Sequence, residues 1–289
     1  MATLEKVELD ELENAYQTCE ALAHSHYENF PVASWFLPKK LRQAIASIYS
    51  FARRADDIAD EGDLSQEIRL KELNNFWIQL DNIEKKLPMN NLYFMALADT
   101  IQTFNLPLSL FYDLLRAFKQ DVVKNSYENF NEVLNYCQYS ANPAGRLLLH
   151  LTKNATEENL KDSDKICTAL QLINFLQDLD PDLQSRNRCY LPKDEMQQFN
   201  VSLENIRARQ SSPEIQALIE TQLKRAENLL NEGQKLGKRL KGLFGFEIRL
   251  IIASLKRMIQ RLYARKSIYD RPKLRVWDTF YILLLFFKY

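Results

Sequence analysis

Apolar residues recur at three- and four-residue intervals over most of the chain, which is the spacing of one face of a helix. The pattern runs through residues 41–60. It returns after Leu106 and Pro107, where proline suits the first turn of a helix. Polar and apolar residues do not alternate over any sustained stretch, as they would in a half-buried strand. The pattern therefore predicts an all-α protein.

Capping residues mark helix boundaries in the second half of the chain. Thr156 is placed to cap a helix that runs as far as Leu179. Ser212 and Pro213 are placed to open another long helix, since serine caps and proline fits the first turn. Between these two helices, the polar stretch at residues 192–213 is predicted to be a loop.

The rest of the chain shows no division into separate parts. Gly242 and Gly245 are expected to interrupt the helical pattern before it resumes over residues 248–263. The sequence has no internal repeat, no low-complexity block and no Gly- or Ser-rich linker. One domain is therefore predicted over residues 1–289.

Composition and charge limit the possible functions. Lys plus Arg and Asp plus Glu both total 38, so no overall positive charge favours nucleic acid as a partner. The four cysteines are far apart, and no signal-peptide pattern is present, which predicts reduced thiols in a cytoplasmic protein. The apolar run at residues 280–287 is too short to span a bilayer. It leaves two alternatives, a last helix packed on the protein or peripheral contact with the inner membrane.

The first of two acidic segments reads ARRADDIADEG. Asp56 and Asp60 are four residues apart, so both carboxylates project from one helix face, and Arg53 lies on nearly the same face. Like charges at this spacing repel each other and destabilise a helix. Solvent and arginines can compensate for that repulsion, and so can a divalent cation.

The second acidic segment extends from Gln171 to Pro192. Its oxygen ligands recur every four residues, at Asn174, Asp178 and Asp182. Pro181 interrupts this stripe, because it lacks an N–H and disfavours a helical residue before it. We therefore expect Asp180 to end one helix and to cap the next. Asp182 would then be displaced from the ideal ladder of ligands.

Two such stripes, if they face each other, suit a magnesium–diphosphate site. Mg²⁺ prefers hard oxygen ligands and is commonly held by one or two carboxylates together with substrate phosphates. The bound metal would neutralise a diphosphate leaving group as its bond to carbon breaks. A lone stripe of this kind is more commonly a solvated helix face, and the residues by themselves leave both interpretations open.

The two segments together resemble motifs of the squalene/phytoene synthase family. The matching residues are DDIAD at 56–60, NFLQDLDPD at 174–182 and RCYLP at 188–192. The resemblance covers about residues 21–192 and continues more weakly into the C-terminal helices at 213–289. It implies an all-α isoprenoid synthase fold with helices around a central cavity, and an Mg²⁺-dependent enzyme that acts on a prenyl diphosphate.

The resemblance also implies roles for single residues. Magnesium binding is implied for Asp56, Asp60, Asn174, Asp178 and Asp182. Diphosphate contacts are implied for Arg53 and Arg188, with Tyr49, Gln171 and Tyr190 beside them. A further acidic position near the cavity is implied for Asp121. Tyr136 matches a tyrosine that transfers a proton or orients water, and a core aromatic residue is the equal alternative.

Two further stretches resemble one branch of the family. They are HYENFPVAS at residues 26–34 and YSANPAGRLLLHL at 139–151. The branch makes hydroxysqualene from presqualene diphosphate and water through a carbocation, as a carbon–oxygen lyase of bacterial hopanoid biosynthesis. This implies functional coupling to other hopanoid-pathway enzymes. In one departure from the family's pattern, Asn187 stands where glycine commonly precedes the RCYLP arginine.

Two alternatives to this activity stay open. The first is head-to-head transfer of farnesyl or geranylgeranyl groups to give squalene, phytoene or dehydrosqualene. Relatives that couple two diphosphates carry hydroxyl or lysine residues where this chain has Tyr27, Glu28 and Asn29, and Glu28 would repel a diphosphate. This departure favours a single-diphosphate substrate. The second alternative is a helical interaction module whose acidic stripes only keep the surface soluble.

Overall fold

The computed structural model describes residues 2–25 and 37–288. Within these residues the chain forms fifteen helices and no strand longer than one residue, so the predicted all-α class is confirmed. The backbone divides into two compact units, Met1–Val123 with Leu147–Asn154 and Lys124–Arg146 with Ala155–Tyr289. We call them unit 1 and unit 2. The single domain predicted over the whole chain stays a prediction.

Unit 1 is built on five helices and the end of a sixth. They are α1 (Ala2–Ser25), α2 (Lys39–Asp60), α3 (Gln66–Glu84), α4 (Leu92–Phe104) and α5 (Leu108–Val123), with the second half of α7 (Asn142–Leu151). The core contains a cluster of phenylalanine rings, in which Phe51 of α2 lies 5.7 Å from Phe76 and 5.5 Å from Phe111. Because Phe51 and Ala55 face this core, the opposite side of α2 turns its acidic residues outward.

Unit 2 contains the remaining helices. They are α6 (Phe130–Ser140), α8 (Glu157–Gln177), α9 (Leu179–Ser185), α10 (Lys193–Gln198), α11 (Leu203–Arg207), α12 (Pro213–Gly233), α13 (Lys235–Arg239), α14 (Gly242–Tyr263) and α15 (Asp278–Lys288), with the first half of α7. The helix α12 packs along α8. Gly145 lets α7 approach α8 closely, since a Cβ atom there would overlap Ser163 Oγ and Cys167 Sγ.

Several predicted boundaries are confirmed and three are wrong. Thr156 caps α8 and Ser212 caps α12, each by accepting a hydrogen bond from a backbone N–H three residues later. The stretch predicted as a loop at residues 192–213 instead contains α10 and α11, because a local capping box on Ser202 stabilises α11. Gly245 does not interrupt a helix but lies inside α14, where its missing side chain admits the backbone of Leu240.

The expected break at Asp180 is also wrong, by two residues. The helix α8 ends at Gln177, and Asp178, with ψ at 17°, separates it from α9. Pro181 is the third residue of α9, in the first turn, where a backbone N–H has no helical acceptor to lose. The hydrogen-bond ladder continues across the break, since the Asp182 N–H donates to Asp178 O at 2.9 Å.

The apolar run near the C-terminus forms the helix α15, as the alternative of a last helix predicted. Among the described residues, no helix is both long and apolar enough to cross a bilayer. Residues 26–34, with Tyr27, Glu28 and Asn29, lie outside the described residues, so the expectations based on them stay predictions.

Candidate functional site

The first acidic segment forms the last two turns of α2. Asp56 and Asp60 are one turn apart on a partly exposed side of the helix, and the Asp56 side chain is 42% exposed. Arg53 lies closer to Asp57 and Glu61 than to Asp56. Its Nη2 atom is 2.7 Å from Asp57 and 2.5 Å from Glu61, whereas its Nη1 atom is 3.8 Å from Asp56. The Asp56 and Asp60 carboxylates therefore project beside a cation that is held mainly by other residues.

The electrostatics of this segment keep Arg53 charged. Partial burial alone would lower its pKa, but the carboxylates of Asp57, Asp56 and Glu61 outweigh burial and raise the pKa. Tyr49, one turn earlier, is half-buried, and burial raises the pKa of its hydroxyl despite the nearby guanidinium. Tyr49 and Arg53 thus offer a neutral and a cationic donor on one side of α2.

The end of α2 is fixed by Arg69, a residue that the sequence pattern did not single out. Its guanidinium donates to four backbone carbonyl oxygens, those of Ile58, Glu61, Gly62 and Leu64, at 2.6–3.1 Å. A cation at a helix C-terminus satisfies carbonyls that have no helical partner and complements the helix dipole. Arg69 therefore holds the turn that carries Asp60.

The second acidic segment is a row of carboxylate–arginine pairs. Asp178 pairs with Arg271, Asp180 with Arg209, and Asp182 with Arg186. The Arg271 guanidinium contacts both oxygens of Asp178, through Nε and through Nη2 at 3.1 Å. Only Arg186 lies one helical turn from its partner, so the other two arginines could not be assigned from local spacing. Asn174, one turn before Asp178, is exposed on α8.

Asp182, unlike the predicted ligands Asn174 and Asp178, is buried. It is 7% exposed, and burial raises the pKa of its carboxyl to about 6 although Arg186 and Arg188 oppose the shift. The side chain lines a cavity of about 20 Å³ together with Arg188, Tyr190 and Gln222, which is room for one water molecule. This carboxyl is therefore less accessible to a metal than Asp178 or Asn174.

The turn before RCYLP is formed despite the missing glycine. Asn187 adopts φ = 54°, a left-handed conformation that asparagine tolerates better than most residues. Its side-chain oxygen accepts a hydrogen bond from Arg207. The following residue, Arg188, is buried, and its backbone N–H donates to Asp182 O at 3.0 Å. The turn thus ties the RCYLP arginine to the acidic segment.

Aromatic side chains gather beside this turn. The Tyr190 ring stacks on Phe175 with centroids 3.6 Å apart, and Tyr136 lies 5.8 Å from Tyr190 and 6.1 Å from Phe175. Tyr136 is 4% exposed. Such surroundings suit a core aromatic residue, and they equally suit one wall of a pocket for a cation. Both alternatives for Tyr136 stay open.

Two other predicted residues, Gln171 and Asp121, are half-buried. Gln171 lies half-buried on α8, one turn before Asn174. Asp121 is half-buried near the end of α5 in unit 1. The role beside the diphosphate implied for Gln171 and the position near the cavity implied for Asp121 stay predictions.

The donor set partly fits the expected magnesium. In the described part of the chain, no three Asp, Glu, His or Cys side chains form a group that holds a metal by itself. Asp56 and Asp60 fit as hard oxygen ligands that need substrate oxygens to complete the shell. Asp178 fits in chemistry, but a metal would have to displace Arg271 from it.

Comparisons with known proteins agree with this fold and these motifs. A family model described as squalene/phytoene synthase matches residues 23–278. A hydroxysqualene synthase of Rhodopseudomonas palustris is 34% identical over 249 residues, which are 86% of this chain and 84% of that protein. The chain therefore belongs to the squalene/phytoene synthase family and is an isoprenoid synthase.

Solved structures support the same conclusion. The crystal structure of a squalene synthase from Alicyclobacillus acidocaldarius matches with a TM-score of 0.82 at 33% identity, over 90% of this chain and 96% of that one. A dehydrosqualene synthase solved with a ligand matches with a TM-score of 0.79 at 25% identity, over 97% of both chains. The resemblance seen in the two acidic segments is thus confirmed at the level of family and fold.

Proposed function

We propose that the chain converts presqualene diphosphate and water to hydroxysqualene and diphosphate. The observation that carries this proposal is its 34% identity to a hydroxysqualene synthase over most of both chains. The sequence departures at Glu28 and Asn29 support it, since an acidic residue there disfavours a second diphosphate. The product would then pass to other enzymes of hopanoid formation.

Diphosphate departure is the first step of the proposed reaction. In unit 1 the carboxylates of Asp56 and Asp60 would hold Mg²⁺, and in unit 2 the Asp178 carboxylate and the Asn174 amide oxygen would do so, with diphosphate oxygens and water completing each shell. When bound, the metal supplies positive charge that neutralises the leaving group. Arg53 would donate charge-assisted hydrogen bonds to the diphosphate, for which its planar fork is well suited.

Capture of the carbocation by water completes the reaction. The cyclopropylcarbinyl cation rearranges, water adds to carbon, and one proton leaves the new hydroxyl group. Aromatic faces stabilise a desolvated cation by up to about 2 kcal/mol each. The rings of Tyr190 and Phe175 stack on each other in unit 2, so each would offer its outer face to the cation. The Tyr136 hydroxyl would orient the water or accept its proton.

The alternative is head-to-head coupling, and the two matched structures favour it. One of them is a squalene synthase and the other a dehydrosqualene synthase. Coupling to squalene ends with hydride transfer from NADPH, whereas hydroxysqualene formation needs only water. The origin of the atom that quenches the cation therefore distinguishes the two functions.

The deciding experiment supplies presqualene diphosphate and Mg²⁺ in oxygen-18 water, with and without NADPH. We expect a labelled C30 alcohol in both cases and no product from farnesyl diphosphate alone. Tyr136→Phe should slow water capture or raise the share of elimination products, whereas Tyr127→Phe, a change in a neighbouring buried ring, should leave the product ratio unchanged. An unlabelled product, or squalene formed with NADPH, would contradict the proposed function and favour head-to-head coupling instead. No diphosphate release from either substrate would favour the non-enzymatic module.

A further inference from the structure

The helix α15 exposes apolar side chains on the side that faces solvent. Val276 and Trp277, in the turn before the helix, are 87% and 81% exposed, and Phe280, Tyr281 and Leu283 continue the same side. We call these five residues the C-terminal apolar face. The solvent side of a surface helix is normally polar. This inverted pattern points to a surface that is covered in use.

The opposite side of α15 is firmly anchored. Asp278 is 1% exposed, and its carboxylate lies 2.6 Å from Arg257 Nε and 2.7 Å from Arg261 Nη2, both on α14. Ile282, one turn later, is buried beside it. Asp278 and Ile282 thus fix which side of the helix packs on α14. The C-terminal apolar face is therefore presented outward by the fold rather than by a loose tail.

The same surface extends onto α14. Phe246 is 40% exposed, and its ring lies 4.8 Å from the ring of Phe286 on α15. Leu243, one turn before Phe246, is 50% exposed. The apolar surface therefore spans two adjacent helices and is larger than the scattered apolar residues that most protein surfaces carry.

Positive charge borders this surface on one side. Lys273 and Arg275 precede the C-terminal apolar face and are both exposed, whereas the charge of the neighbouring Arg271 is paired with Asp178. Over residues 271–283 the one acidic residue, Asp278, is buried. Exposed tryptophan and phenylalanine flanked by basic residues are typical of helices that lie in the headgroup region of anionic membranes. Another protein copy would bring the same positive charge against itself.

We infer that the C-terminal apolar face docks unit 2 onto the surface of an anionic lipid bilayer. The apolar side chains would enter the headgroup region, and Lys273 and Arg275 would contact acidic headgroups. The segment that leads into this face also touches the candidate site, since Arg271 pairs with Asp178 and Pro272 O accepts a hydrogen bond from Gln177 at 2.7 Å. The benefit of such docking rests on the proposed function, because a C30 isoprenoid substrate and product both dissolve in a bilayer.

Vesicle flotation of the full chain, without substrate, tests this inference. We expect the protein to float with vesicles that contain phosphatidylglycerol and far less with phosphatidylcholine alone. The pair Lys273→Glu and Arg275→Glu should weaken binding to the anionic vesicles by at least about 30-fold, since loss of each basic residue near the surface costs about fivefold and each new carboxylate adds repulsion. The pair Trp277→Ser and Phe280→Ser should weaken it by about tenfold or more.

Matched control variants remove comparable residues from unit 1. The pair Leu9→Ser and Ile78→Ser replaces exposed apolar residues, and Lys71→Glu replaces an exposed cation. These controls should bind like the unchanged protein. If the Trp277→Ser, Phe280→Ser pair binds the anionic vesicles as well as the Leu9→Ser, Ile78→Ser control does, the inference is overturned.

Sedimentation distinguishes the main rival. A dimer that the Trp277→Ser, Phe280→Ser pair dissociates, together with no vesicle binding, would assign the face to a second copy and overturn the inference. Because the assay measures binding alone, its result does not depend on whether the proposed reaction is correct.

Discussion

The substitution Asp278→Asn removes the negative charge that anchors α15 to α14. The buried carboxylate accepts hydrogen bonds from Arg257, Arg261 and the backbone N–H of Arg275. Burial alone would raise the pKa of Asp278, but these donors outweigh it and lower the pKa from 3.8 to about 2. A difference of about 1.8 units at 1.36 kcal/mol each gives about 2.4 kcal/mol of stabilisation, which the amide of asparagine forfeits.

Hydrogen exchange measured by mass spectrometry follows this change locally. Since Asp278 begins α15, its loss should first appear as more frequent opening of that helix. About 2.4 kcal/mol corresponds to about 60-fold faster exchange in peptides from α15 at pH 7. Asp10→Asn, which changes an exposed carboxylate on α1, should leave these peptides unchanged.

The pH dependence supplies an independent check. Because the folded pKa of Asp278 lies below the unfolded value, its stabilisation is complete above about pH 5 and is lost as the pH falls toward 2. The ratio of exchange rates between Asp278→Asn and the unchanged protein should therefore narrow to about tenfold at pH 3. A ratio below about threefold at pH 7, or one that stays constant on acidification, would refute the reasoning.

Other substitutions test the packing and the proposed site. Gly145→Ala forces a Cβ atom into α8 and should cost about 1–3 kcal/mol, read as a lower urea midpoint by circular dichroism. Arg69→Gln removes a charged cap from α2 and should cost about 1.5 kcal/mol in the same assay. Asp56→Ala or Asp178→Ala should lower turnover about 100-fold with unchanged circular dichroism, and normal turnover at saturating Mg²⁺ would contradict the metal assignment. Arg53→Lys should raise KM for the diphosphate substrate, because lysine lacks the planar fork, and unchanged kinetics would leave Arg53 a structural residue.

The sequence by itself determined the helical class and most helix positions. Helices are stabilised by bonds between residues three or four positions apart, and their caps act over the same distance. The Thr156 and Ser212 caps and the pattern of α2 were therefore readable from local residues. The spacing of Asp56 and Asp60 was readable for the same reason, and the motifs were specific enough to give the family.

Sequence alone misplaced boundaries where a local preference was overridden. Pro181 indicated a break at Asp180, but proline costs nothing in a first turn, so the break falls at Asp178. Gly245 indicated an interruption, but it lies within α14 because tertiary packing needs a residue without a side chain there. The composition of a segment does not reveal such contacts.

Only the tertiary structure decided which charges meet and which faces are exposed. Arg271 and Arg209 reach Asp178 and Asp180 from 93 and 29 residues away, separations that no local pattern encodes. The sequence left two alternatives for the apolar run of α15, a packed helix or contact with a membrane surface, and the buried ion pairs of Asp278 turn Phe280 outward. Helical periodicity specifies a face, but the partner that covers it depends on packing between distant segments.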